Sequence, residues 1–390
     1  MREPALNVTA ELHRAGRHAV TWLALTDFRC YRSLRLEVGP APVVLTGPNG
    51  AGKTNLLEAI SFLAPGRGLR RARLREIDRR DAGEERAWAV AATVATPAGP
   101  ARVGTGRDPS GSGPGGERRL IRIEERLARS QAELAERFSL TWLTPEMDQL
   151  FVDGAPARRR FFDRLIYGFD PGHAGRLIAY NRALRERARL LSSGGRDRAW
   201  LGVLEDTMAR QGVAVAAARR ETARRLDRAP GVGPFPRVGV AIRGVVEDWL
   251  DEVPALEAED RLRARLMAAR RQDAEAGGAS LGPHRSDLEV HHLPTGIPAA
   301  QCSTGEQKAL LIALILAGAR LQAVERDRVP ILLLDEVAAH LDETRRRALF
   351  DEITALGAQA WLTGVEPVLF EDLDGRARFF RVHEATVTPQ

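Results

Sequence analysis

Gly47-Pro48-Asn49-Gly50-Ala51-Gly52-Lys53-Thr54 fits G-x-x-x-x-G-K-[ST] without exception. It lies between a short apolar run, Pro42 to Thr46, and the helix-forming segment that opens at Asn55. Glycines let backbone N–H groups turn inward as an anion cradle, and a helix N-terminus adds its positive dipole end. This composition predicts a site for a nucleoside triphosphate. Lys53 would reach the β- and γ-phosphates, and the Thr54 hydroxyl would ligate Mg²⁺.

A second constellation completes that chemistry. Ile331-Leu332-Leu333-Leu334 reads as a strand buried on both faces, and it ends in Asp335-Glu336. Asp335 at the strand tip would hold Mg²⁺, partly through water, and Glu336 would accept a proton from the attacking water. An apolar run ending in two carboxylates is common by itself. Its partnership with the glycine loop gives it meaning.

Ser303-Thr304-Gly305-Glu306-Gln307-Lys308 precedes a long apolar helix, Ala309 to Leu321. Ser303 and Glu306 have capping-box spacing, so one reading is simply a well-capped helix. The other is a resemblance to the signature motif of the ABC-type ATPases, whose helix N-terminus points at the γ-phosphate held by a second subunit. The motif stands about 30 residues before the acidic strand, as that family requires. His340-Leu341-Asp342 resembles the D-loop, which would place Asp342 at a dimer seam. Two elements depart from the pattern. Thr363 stands near the position of the usual switch histidine, and Glu146, Asp148 and Gln149 all compete for the glutamine loop.

The elements that must position these residues are divided. Val20 to Leu36 alternates as a hairpin does, and strand-like pieces recur at Trp88 to Thr96 and near Val103. From Glu125 to Ala276 the pattern turns helical, rich in Arg, Ala, Leu and Glu, with one strand-like piece at Val238 to Ile242. The expected fold is α/β, an ABC-type head split by an inserted, mainly helical lobe. The expected divisions are an N-terminal extension over 1–19, the head over 20–124, the lobe over 125–277 and the second part of the head over 278–390. The Gly/Ser/Pro stretch from Asp108 to Glu117 reads as a loop.

Roughly 250 residues separate Thr54 from Ser303. At about 1.5 Å per helical residue the insert makes a compact lobe, and it lacks the sustained heptads of a long coiled-coil arm. Within this frame Asp27-Phe28-Arg29-Cys30-Tyr31-Arg32, Pro145-Glu146 followed by Arg158-Arg159-Arg160-Phe161-Phe162-Asp163, and Leu281-Gly282-Pro283-His284-Arg285-Ser286-Asp287-Leu288 resemble the motifs of the bacterial RecF family, part of the SMC/RecF group of ABC ATPases. That resemblance implies an ATP-dependent homodimer that binds single-stranded or gapped DNA, hydrolyses ATP slowly and helps to load recombinase with RecR and RecO. It further implies roles in recombinational repair, replication and SOS induction, with DNA stimulating the ATPase. Arg158 to Arg160 are either a solvated helix face or contacts to DNA or nucleotide. His284 and Arg285 form either a structural turn or a part of the dimer interface.

Composition sets outer bounds. The formal charge of +6 and the pI near 10.0 favour an anionic partner only weakly. Lysine occurs only at Lys53 and Lys308, both within the motifs above; every other basic residue is arginine. Cys30 and Cys302 have no metal-ligand spacing and are expected as reduced thiols. No run of about 18–20 consecutive apolar residues occurs, and the first nineteen residues lack the apolar core of a signal peptide. The expectation is a cytoplasmic, nucleoid-associated protein with no membrane partner. A transporter cassette would carry a clear glutamine loop and a switch histidine, and a nucleotide-gated binder without turnover would not need Glu336.

Overall fold

The computed structural model describes residues 16–79, 86–110, 117–194 and 197–390. Residues 1–15 of the expected extension and 111–116 of the Gly/Ser/Pro loop lie outside them. The chain forms two compact units. The first holds the chain up to Asp148, Val232–Phe235 and Leu311–Gln390; the second holds Gln149–Gly231 and Pro236–Leu310.

In the first unit, β1 (Gly16–Arg17) pairs in parallel with β13 (Arg328–Val329), so the described end of the extension is tied down by backbone hydrogen bonds. An antiparallel sheet follows the order β3 (Tyr31–Glu37), β2 (Ala19–Phe28), β5 (Ala89–Thr96), β6 (Gly99–Arg107), β7 (Arg119–Ile123), β8 (Arg126–Leu127). Its central strands alternate buried and less buried positions, as a sheet with one packed face requires. A second sheet follows the order β17 (Thr386–Pro389), β16 (Arg378–His383), β4 (Val43–Thr46), β15 (Ala360–Gly364), β14 (Ile331–Leu334), β9 (Leu140–Leu143). All its pairs are parallel except β16 with β17. Every residue of β4, β9, β14 and β15 is buried, which explains why β4 and β14 read as short apolar runs.

Helix α1 (Lys53–Ser61) turns Leu56, Leu57, Ala59 and Ile60 into a core that it shares with both sheets. The leucines and isoleucine each contribute about 1.5–3 kcal/mol, and together these side chains fix the helix whose first turn forms the phosphate site. The buried Arg119 guanidinium closes the other end. It donates to Gly66 O at 2.9 Å and to Phe62 O, and stands 5.0 Å over the Phe62 ring. A cation on the carbonyls just past the helix C-terminus complements the dipole, although burial pulls its pKa down to about 9.

The two units do not part at residues 125 and 277. Residues 125–148 supply β8, the short helix α2 (Ala132–Arg137) and β9, which completes the parallel sheet beside β14. Leu140-Thr141-Trp142-Leu143 is too short for periodicity to separate a buried strand from helix. The second unit carries α3 (Ala155–Phe169), α4 (Gly172–Ser192), α5 (Arg198–Arg228), α6 (Val245–Glu252), α7 (Ala255–Ala268) and α8 (Arg270–Ala276). With them is an antiparallel sheet of β10 (Val238–Arg243), β11 (Asp287–His292) and β12 (Ile297–Pro298).

Its apolar core gathers Leu204, Met208, Val213, Leu262 and Leu266. Beside them Arg187, itself buried, donates to Glu205 at 3.0 Å and to Asp273 at 2.7 Å, tying α4, α5 and α8 together. The far boundary falls inside α9 (Thr304–Arg326). That helix is long and apolar enough to cross a membrane by composition, yet most of its apolar stretch is buried within the protein. Helix α10 (Glu343–Leu356) follows the acidic strand.

Candidate nucleotide site

From Thr46 the chain turns through Gly47–Gly52 directly into α1. The turn takes φ +144° at Gly47 and +116° at Gly52, where a side chain is costly. Space forbids one as well. A Cβ on Gly47 would stand 2.1 Å from the Val382 carbonyl oxygen, and one on Gly52 would stand 2.6 Å from the Tyr31 hydroxyl. Tyr31 donates to Gly52 O at 3.2 Å, so the β2–β3 hairpin buttresses the loop.

Lys53 is buried, and its ammonium donates to Gly47 O at 2.7 Å and Pro48 O at 3.1 Å. It stands 3.8 Å from Glu336 Oε1. Burial lowers its pKa, and the charges of Glu336 and Asp335 oppose that shift. The Thr54 hydroxyl donates to Asp335 Oδ1 at 3.0 Å. Residues 281 positions apart thus meet because β4 and β14 both neighbour β15 in the parallel sheet.

Asp335 is buried, and burial raises its pKa. Hydrogen bonds from Thr363 and Thr54 counter that rise, while Glu336 adds to it. Thr363 donates to Asp335 Oδ1 at 2.7 Å and accepts from the Glu336 amide at 2.8 Å. Glu336 itself takes φ +54°, a left-handed conformation uncommon for a side-chain-bearing residue.

Thr54 and Asp335 offer the paired oxygens that a hard divalent cation accepts. Among the described residues no group of three or more His, Cys, Asp or Glu side chains gathers to hold a metal. A cation here would therefore complete its shell with phosphate oxygens and water, as Mg²⁺ does in triphosphate sites.

The remaining expected residues are placed as follows. Ser303 and Glu306 form a reciprocal cap: Ser303 N and Oγ donate to Glu306 Oε2 at 2.8 and 2.7 Å, and Gln307 Nε2 donates to Cys302 O at 2.9 Å. Ser303, Thr304 and Gly305 are exposed at the start of α9. Asp342 is exposed and caps α10 by accepting from Arg345 N at 2.9 Å. Glu146, Asp148 and Gln149 lie in a 3₁₀ turn directly after β9.

Arg158 is committed to structure. Its guanidinium grips both oxygens of Asp287 at 2.8 and 2.7 Å and the carbonyls of Phe151 and Asp153. Arg159 donates to Ser286 O, and Arg160 is exposed.

The RecF/RecN/SMC N-terminal domain model matches residues 19–388. A DNA replication and repair protein RecF of Mesorhizobium japonicum is 47% identical over 374 residues, covering 95% of this chain and 97% of that one. The RecF of Caulobacter sp. strain K31 is 48% identical over 391 residues, covering 96% and 98%. The chain belongs to the RecF family. The structure of the recombination mediator protein RecF-ATPrS in the RecFOR pathway matches with a TM-score of 0.80 at 21% identity, covering 97% of this chain and 100% of that chain. The Smc head domain of Pyrococcus furiosus matches with a TM-score of 0.53 at 14% identity, covering 96% of each. Both matches bear on fold, and the α/β head fold is that of RecF and SMC proteins.

In this RecF-family head the sequence motifs leave out one group beside the loop. Glu58 on α1 is fully buried, and it receives Arg29 at 2.9 and 2.7 Å and Arg70 at 3.4 Å. A lone carboxylate inside Leu56-Leu57-Glu58-Ala59-Ile60 was the available signal, because a buried carboxylate requires cationic partners.

Proposed function

We propose that the chain binds ATP with Mg²⁺ at the Gly47–Thr54 loop and hydrolyses it slowly in a head-to-head homodimer that clamps DNA. The observation that carries this reading is the convergence of Lys53, Thr54, Asp335 and Glu336 within one compact unit, with Thr54 at 3.0 Å from Asp335 and Lys53 at 3.8 Å from Glu336. Lys53 exchanges its loop carbonyls for the β- and γ-phosphates, and the amides of the loop and first helical turn supply the rest of the cradle. Thr54 and Asp335 would hold Mg²⁺, which neutralises charge on the phosphates when bound. Glu336 accepts the proton of the attacking water. Ser303, Thr304, Gly305, Glu306 and Gln307 face the γ-phosphate of the partner subunit, and Asp342 lies at the seam.

Relatives named for DNA replication and repair, and a recombination mediator of the RecFOR pathway, support a DNA-bound role in recombinational repair, with SOS induction its signalling outcome. Single-stranded or gapped DNA would be the substrate, RecR and RecO the partners, and the cytoplasmic nucleoid the location. No zinc-finger spacing, helix-turn-helix or aromatic RNA-binding motif occurs, so contacts run from arginine to phosphate and weaken steeply with salt. Arg159 and Arg160 are the proposed DNA contacts on α3, while Arg158 orients that helix through Asp287.

The test compares log K against log salt on gapped DNA of random sequence, with and without ATP, beside sedimentation. The expected slope is steeper with ATP, because two basic surfaces engage one duplex. Lys53→Ala should lose both the steep slope and the ATP-dependent dimer. Equal slopes and affinities in the two nucleotide states would remove the clamp, and an ATP-induced Lys53→Ala dimer would remove the phosphate-site assignment.

A further inference from the structure

The second unit holds a cavity of about 320 Å³ that the nucleotide chemistry does not use. Helix α4 contributes Leu177, Asn181 and Arg185 at four-residue spacing, hence along one face. Helix α3 contributes Arg159 and Arg160, and α5 contributes Arg219. The turn at Pro283-His284 closes one side.

Charge is unbalanced there. Four arginines line the cavity against one carboxylate, Asp163. That carboxylate is already consumed: Arg219 grips both its oxygens at 2.7 and 2.8 Å, and His173 Nε2 stands 2.9 Å from Oδ1. Arg219 spends its remaining end on Pro283 O. Arg159 reaches only a backbone carbonyl, Ser286 O, and Arg185 makes no ion pair among the described residues. Burial lowers the pKa of Arg159, the Arg219 and Arg285 charges add to that, and the more distant Asp163 and Asp287 oppose it without reversing it.

The polar wall is held in one protonation pattern. His284 Nε2 is 2.9 Å from the Ala279 carbonyl, which can only accept, so Nε2 carries the proton. Nδ1 then accepts from the Tyr180 hydroxyl at 2.6 Å. This neutral pair adds a rigid edge and no charge.

Arg159 is half-buried with no carboxylate in hydrogen-bond contact among the described residues, and such a guanidinium is costly until an anion joins it. Its planar fork matches phosphate oxygens better than a point charge does. The volume lies at the small end of ligand pockets, suited to one nucleotide-sized group. We propose that this cavity binds a phosphate monoester, either of a free nucleotide or at the end of a DNA strand, at a site distinct from the Gly47–Thr54 loop. The proposal does not rest on the hydrolysis chemistry or on ATP-dependent dimerisation, and it shares Arg159 and Arg160 with the proposed DNA contacts.

The experiment uses the full chain carrying Lys53→Ala, which silences the first site. Titrations with adenosine monophosphate and with one oligonucleotide, bearing either a 5′-phosphate or a 5′-hydroxyl, separate the sources. Arg185→Gln removes an exposed charge with little risk to folding, and Leu177→Trp fills the cavity while leaving every charge in place. Each should weaken monoester binding at least tenfold. A free nucleotide is the source if adenosine monophosphate binds as well as the phosphorylated strand. A strand end is the source if the phosphorylated strand binds at least tenfold tighter than both alternatives. The proposal is overturned if neither monoester binds, or if binding stays within twofold in both variants.

Discussion

The Thr363 hydroxyl donates to Asp335 Oδ1 over 2.7 Å and, with its oxygen, accepts the Glu336 amide at 2.8 Å. One buried side chain therefore sets the position of both acidic residues at the end of β14. The residue that stands near the usual switch-histidine position thus reaches the acidic pair from inside the fold. Thr363→Val should lower ATP turnover about tenfold or more, since it strips two buried hydrogen bonds worth about 1–3 kcal/mol each when unpaired. Thr363→Ser should restore most of it, and nucleotide affinity should change by less than about threefold in either variant. A valine variant with wild-type turnover would remove Thr363 from the machinery.

Glu336 separates chemistry from backbone strain. Its φ of +54° costs about 1–2 kcal/mol for a side-chain-bearing residue. Glu336→Gln keeps that strain and removes the base, so the ATP-bound dimer should persist on DNA and melt like wild type. Glu336→Gly should lose turnover as well, yet melt roughly 1–3 °C higher. Persistence is read as the dissociation rate after an ATP chase; release of the glutamine variant at the wild-type rate would contradict the assignment.

Asp335 makes a prediction in pH. Burial raises its folded pKa above the unfolded value, so its favourable contribution is fully present below the unfolded pKa and is lost as pH rises through the folded one. At neutral pH the ionised, buried carboxylate is a net cost without its cation. Asp335→Asn keeps an oxygen for Thr54 and Thr363, so without nucleotide it should melt about 1–2 °C above wild type at pH 7, and the gap should close near pH 4. The same variant should lose Mg²⁺-dependent hydrolysis. A melting difference that is constant from pH 4 to 7 would show that ionisation of Asp335 is not its source.

Ser303 is exposed, as a group acting across a seam must be. Ser303→Arg and Lys53→Ala should each lose most ATPase activity alone. A mixture should recover part of it, because one of the two composite sites in a heterodimer is intact. Full activity in Ser303→Arg by itself would end the role in trans.

The phosphate loop was legible in the sequence because its determinants are local. A buried strand, glycines that tolerate positive φ and a helix start follow one another within fifteen residues, and no distant partner is needed to recognise them. The cap at Ser303 and Glu306 is equally local, and so is Asp342 at the head of α10. Tertiary structure decided which local pieces meet. Leu334 pairs with Leu362 in the β14–β15 register, and only that pairing brings Thr363 beneath Asp335. Burial pattern says which strands are interior but not which are neighbours, so β9 read as part of a helical lobe until it took its place beside β14. The same limit applies to charge. Arg158, Arg159 and Arg160 are indistinguishable in sequence, yet Asp287, far along the chain on β11, claims Arg158 and leaves Arg159 facing a cavity. A guanidinium is assigned by the nearest carboxylate in space, and that distance exists only once the chain has folded.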